Sequence, residues 1–158
     1  MILPNKKLTV LILLGFVLVY VILTTTAVAN EDILTARTTA DFDSTLEKAK
    51  LVLEENTFTV AHVQRCDGGL RQMGYETDNY KIIFFGRLEE VRSLTKAHPE
   101  LLPFLPLKMA VFAENKETLL STVNPSSVLA MMPELKEELQ PLFSKWEKEL
   151  RQVLSEFK

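Results

Sequence analysis

The chain has 158 residues, 47% of them hydrophobic and 25% charged, with a formal net charge of −3. That composition fits one folded domain and excludes a disordered polar chain or a collagen-like repeat. The mild excess of acid leaves no concentration of positive charge for phosphates, so a nucleic-acid partner is excluded. A single cysteine, Cys66, excludes an intramolecular disulfide and any multi-cysteine metal site.

The N-terminal segment differs from the rest. Lys6 and Lys7 precede an apolar run over residues 8–23, interrupted only by Thr9 and Gly15, and no charge occurs between Lys7 and Glu31. A basic start, an apolar middle and the small-residue end Ala27-Val28-Ala29 form the pattern of a secretory signal peptide. The competing reading is an uncleaved anchor. Counted to Ala29, the uncharged stretch reaches roughly 33 Å as a helix, enough for ~30 Å of hydrocarbon. Residues 1–29 are thus a signal peptide or a signal anchor, and residues 8–29 would sit in the inner membrane if uncleaved. Either way the two lysines stay in the cytoplasm and the remainder faces the periplasm.

From Asn30 onward the chain is long enough to bury one core without staples. Setting Lys6 and Lys7 aside leaves 16 basic against 21 acidic side chains, so this part is mildly acidic. Residues 33–40 are rich in strand formers. Asp41 or Ser44 offers a helix cap, and Phe42, Leu46, Ala49 and Leu53 share one helical face up to about Asn56. A second strand covers about residues 58–63, and Cys66-Asp67-Gly68-Gly69 reads as a turn. Residues 80–85 (YKIIFF) read as a central strand closed by Gly86. A helix over 88–97 follows, with Leu88, Val91, Leu94 and Thr95 as its apolar side. Pro99, Pro103 and Pro106 then forbid regular structure until Leu107. A strand over 108–114, a short link at Asn115-Lys116-Glu117 and a strand over 118–123 make a hairpin. Asn124-Pro125 opens a short helix that Pro133 ends. From Leu135 to Phe157 large apolar residues keep i+3/i+4 steps, which predicts a long amphipathic helix, kinked or begun at Pro141. The expected fold is a single α+β domain with a mainly antiparallel sheet backed by helices, organised as residues 30–132 plus a C-terminal helix over 133–158 packed on the same domain.

The order of short motifs carries a resemblance. A strand and a capped helix lead to the strand Tyr80-Lys81-Ile82-Ile83. A helix, the turns Leu101-Leu102-Pro103 and Leu105-Pro106, a strand ending in Glu114, a hairpin and Asn124-Pro125 follow. Over about residues 33–132 this resembles the family catalogued as domain of unknown function 302. The resemblance implies a small α+β domain, often dimeric, with no agreed biochemical activity. Many members carry a cysteine just after the YKI-type strand and another after the Leu-Leu-Pro turn. Here Gly86 and Leu107 stand at about those places, so thiol- or metal-based chemistry is not implied for this chain.

No catalytic or metal-ligating set emerges from the residues. His62 and Cys66 on a strand would lie roughly 13 Å apart, too far to share an ion. His98 is remote from both. Gly68-Gly69 and Gly74 lack phosphate-loop spacing. The acidic pairs Glu54-Glu55, Glu89-Glu90 and Glu137-Glu138 fit solvated helix faces. Phe84, Phe85, Phe104, Phe112, Phe143 and Trp146 form either the core or an apolar pocket between the sheet and the last helix. Such a pocket would admit a hydrophobic ligand, or a haem with His62 or Met109 as axial groups. The expectation is a periplasm-facing, non-catalytic binding or accessory module without a cofactor. Its partners would be a protein, a second copy or a membrane-associated complex. The alternatives are a hydrophobic-ligand or haem binder, or an enzyme whose site the residues do not reveal.

Overall fold

A computed structural model describes residues 32–157. The signal peptide or anchor read at residues 1–29 lies outside the described residues. No helix among the described residues is long and apolar enough to cross a membrane. The elements run β1 (Ile33–Thr38), α1 (Phe42–Glu55), β2 (Thr59–Arg65), α2 (Cys66–Gln72), β3 (Tyr80–Gly86), α3 (Leu88–Ala97), β4 (Leu107–Glu114), β5 (Glu117–Val123), α4 (Pro125–Ala130) and α5 (Lys136–Ser155). Single 3-10 turns at Pro99–Leu101 and Pro133–Leu135 occupy two of the proline-rich junctions.

The strands form one five-stranded sheet in the order β1-β5-β4-β3-β2, and every neighbouring pair is antiparallel. The expected α+β architecture is therefore present, with the YKI strand inside the sheet. The β4–β5 hairpin closes through Asn115 (φ 50°) and Lys116 (φ 70°). Two left-handed residues in succession match the right-handed twist of the flanking strands. Glu117 is already paired with Glu114, so the link has two residues and not the three read from the sequence.

Period-2 alternation divides the sheet. Leu34, Ile83, Phe85, Met109, Val111 and Leu120 face inward and are almost wholly buried. Helix α1 lays Phe42, Leu46, Ala49 and Leu53 into this core. Its cap is Asp41, whose side chain accepts from the Ser44 N–H at 3.0 Å. That bond, with further bonding from Ser44, holds the Asp41 carboxyl below its ordinary range. Helix α1 ends in a 6→1 and 5→2 pair of bonds, Phe58 N to the Leu53 carbonyl at 3.0 Å and Thr57 N to the Glu54 carbonyl at 2.9 Å. This closure places Thr57 at φ 65°, a conformation strained for a β-branched residue.

Helix α5 contributes Leu139, Phe143, Trp146, Leu150, Val153 and Leu154 to the same core, so the C-terminal helix belongs to the domain. It runs continuously through Pro141. The missing N–H strands only the Glu137 carbonyl, one turn from the helix start, on an exposed residue that water can satisfy.

Two local expectations require correction. Cys66-Asp67-Gly68-Gly69 is the first turn of α2 and not a loop. An ion pair of Asp67 with Arg71 one turn on, at 3.2 Å, offsets the two glycines. The stop comes at Gly74, at φ 86°, with Tyr75 N bonding the Leu70 carbonyl and Gly74 N the Arg71 carbonyl. Leu88 is the second case: it opens α3 on the solvent side, 70% exposed, while Leu94 is the buried residue of that helix.

Candidate functional site

At the end of the sheet where β4 begins and β5 ends, the chain leaves a partly enclosed apolar cleft of about 80 Å³. The prolines explain its shape. Pro103 and Pro106 hold the segment before β4 out of regular structure; it buries Leu101 and Leu105 in the core and forms one wall of the cleft. Opposite it stands α4, set by Asn124, whose side chain caps the helix by accepting from the Ser126 N–H at 3.0 Å. The Asn124 N–H also donates to the Asp32 carbonyl at 2.8 Å, tying α4 to the start of β1. The cleft floor is Phe143 of α5, with Phe104, Leu105 and Val128 around it and Val123 at the rim. Of the aromatic set read from the sequence, only Phe104 and Phe143 reach this cleft.

One charged group lines it, Lys108 on β4. Its Nζ donates to the Pro103 carbonyl at 2.8 Å, laying the aliphatic stem along the wall. Burial pushes the ammonium below its ordinary value. Lys108, Thr122 and Val123 also border a second, shallower hollow of about 170 Å³. That hollow includes Ile33, Ile82 and Ala110 on the outer face of the sheet. Ile33 and Val123 are 49% and 46% exposed there. Phe84 and Phe112 lie on the same face, half-buried.

The other sequence candidates do not assemble into a site. His62 lies on the outer face opposite Phe84, its Nε2 3.3 Å from Gln64 Oε1. Met109 is fully buried on the inner face, so these two side chains cannot flank one haem iron. Cys66 bonds the Gln64 carbonyl weakly at 3.9 Å. Burial first, and then the charge of Asp67, push its thiol above the ordinary value, which lowers its thiolate fraction and its nucleophilicity. His98 sits beyond α3 between Glu100 (3.5 Å) and Glu138 (3.1 Å). Among the described residues no group of three or more His, Cys, Asp and Glu is placed to hold a metal ion. Gly86 and Leu107, which the resemblance set at about the places of two cysteines, lie on adjacent strands, Leu107 paired with Phe85. A Cβ at position 86 would come within 2.8 Å of Val91 Cγ2, so that space is filled by α3.

Of the acidic pairs, Glu89-Glu90 enters the larger network, while Glu138 of another meets only His98. Glu90 Oε2 accepts from Trp146 Nε1 at 2.9 Å and lies 3.5 Å from Arg87 Nη1. Arg87 reaches Glu149 at 3.0 Å and donates to Thr57 Oγ1 and the Asn56 carbonyl. Its guanidinium covers the Phe58 ring at 4.3 Å. The hub ties the link between α1 and β2, at Asn56, Thr57 and Phe58, and helix α5 to the β3–α3 junction where Arg87 sits. The sequence reading missed Lys108 and Arg87. A lone lysine in an otherwise apolar strand directly after a proline wall was the only available signal for the first. Little local marked the second, whose distant partners come from the α1–β2 link and α5.

The family model for "Domain of unknown function DUF302" matches residues 34–157. The chain belongs to the DUF302 family. The match runs through α5, further than the 33–132 span on which the resemblance was read. No curated protein matches. Among solved structures, the crystal structure of an uncharacterized conserved DUF302 protein from Bacillus stearothermophilus is similar at a TM-score of 0.70 and 22% identity. It covers 80% of this chain and 98% of that one. At that identity the likeness establishes the fold alone.

Proposed function

We propose that this DUF302 protein is a periplasm-facing, non-catalytic binding module that takes a small apolar group in the cleft between the proline wall, β4–β5 and α4–α5. Residues 8–29 hold it at the inner membrane, or cleavage near Ala29 releases it. The observation that carries the binding role is the cleft itself: a partly enclosed, apolar recess beside the hydrophobic core. The lysines at positions 6 and 7 ahead of the apolar run support the topology.

Binding is tested with a neutral probe. In ligand-observed NMR on the full chain in a non-ionic detergent, 1-pentanol should bind saturably. Val123→Trp, which fills the exposed rim, should remove that binding without unfolding the protein. Unsaturable uptake in both proteins would refute the cleft reading. The topology is tested separately, by fusing after Lys158 a reporter active only in the periplasm. Activity is expected, and a cytoplasmic reporter that works at the same junction would reverse the orientation.

A second reading has its own observation. The outer sheet face exposes Ile33 and Val123 and half-exposes Ile82, Phe84, Ala110 and Phe112. This contiguous apolar surface suits a second copy of the chain, the face of one copy on the face of the other.

A further inference from the structure

We propose that the cleft binds a short-chain monocarboxylate, its carboxylate on the Lys108 ammonium and its tail in the apolar recess. This rests on the cleft reading above and names the class of ligand.

A lysine ammonium has three donors, and Lys108 gives one to the Pro103 carbonyl. Among the described residues no carboxylate lies within ion-pair distance of it. Lys108 thus borders both apolar hollows together with Thr122 and Val123, and its partly buried ammonium has two donors beyond the Pro103 bond. Charge in such a place is less screened than on an open surface, so it discriminates more sharply between ligands. An alcohol leaves it uncompensated, and an amine is repelled. A phosphate dianion brings one charge more than a single ammonium can match. A carboxylate accepts hydrogen bonds and cancels one charge, and its apolar tail is what the recess accommodates.

Size sets the tail. The recess of about 80 Å³ has room for roughly three methylene-sized groups. A four- or five-carbon acid therefore fills it from the Lys108 end, and longer chains must turn out over the second hollow.

The test uses the full chain in a non-ionic detergent, titrated with acetate, butanoate, pentanoate, 1-pentanol and pentylammonium by ligand-observed NMR. Pentanoate should bind at least tenfold more tightly than 1-pentanol or pentylammonium. Affinity should rise about fourfold per methylene from acetate to butanoate. Lys108→Gln should bring pentanoate to within threefold of 1-pentanol, and Lys108→Arg should keep pentanoate within threefold of the parent. Saturable 1-pentanol binding by Lys108→Gln shows that the variant still folds around its cleft. Equal binding of pentanoate and 1-pentanol, or full pentanoate affinity in Lys108→Gln, would overturn the carboxylate assignment and leave the cleft reading standing. No binding of any probe would overturn both.

Discussion

Gly86 ends β3 against the first turn of α3, where the distance from an added Cβ to Val91 Cγ2 would be 2.8 Å. Its φ lies outside the left-handed region, so the glycine is required by space and not by backbone conformation. Gly86→Ala should therefore cost about 1–3 kcal/mol by overpacking, read as a lower urea midpoint with an unchanged slope. An unchanged midpoint would mean that α3 yields freely. Thr57 presents the opposite case: its strained φ is imposed by the helix closure, and Arg87 secures its hydroxyl with two donors at 3.0 and 2.9 Å. Residue-scale features of this kind were the least legible in the sequence. Asn124-Pro125 announced its helix because cap and proline act locally. Cys66-Asp67-Gly68-Gly69 misled because two glycines signal a turn, whereas the Asp67–Arg71 pair and the Gly74 stop that outweigh them act one to two helical turns later.

Periodicity governs the element scale, and α5 shows why it can be trusted there. The positions that step by three and four from Leu135 to Phe157 are buried except for Leu142, which is half-buried. Trp146 is 1% exposed, packs its ring 5.1 Å from Phe143 and donates to Glu90. Trp146→Ala should cost roughly 3–5 kcal/mol from the cavity, with a further penalty for the acceptor left on Glu90. Thermal denaturation followed by circular dichroism measures it, and a loss under about 1 kcal/mol would detach α5 from the core's cooperativity. The same reasoning explains the error at Leu88. It occupies the first helical position, before the apolar stripe of α3 turns toward the sheet, so periodicity alone extended the stripe one residue too far. The cleft was invisible at this scale because its walls come from a loop, two strand ends and two helices.

At the scale of the molecule, a half-covered sheet is the dominant feature. Five strands about 4.8 Å apart and some seven residues long give an outer face of about 24 by 23 Å. That area falls short of the ~800 Å² per partner of standard stable interfaces, so pairing of copies through it should be weak and concentration-dependent. Sedimentation velocity of the full chain in detergent should show a monomer–dimer equilibrium that Ala110→Glu abolishes with little change in melting temperature. A single monomeric species at every concentration would rule this pairing out. The fold class was readable from element order and hydrophobic pattern, whereas the sheet order was not. It depends on β1 reaching across the chain to β5.

That crossing has a consequence for how the protein is made. Among the described residues β1 pairs only with β5, from Ile33↔Val123 to Thr38↔Thr118, partners 80 to 90 residues apart. A chain appearing from its N-terminus presents β1 first and β5 almost last, so the strand must wait with its backbone groups unpaired while three other strands and three helices emerge. Closing so long a loop is entropically slow, and during the delay β1 is the segment open to pairing with another chain. Its Thr35 and Arg37, polar on the face that later meets water, keep a waiting strand soluble. The N-terminal edge strand is thereby the last piece of the sheet to be secured.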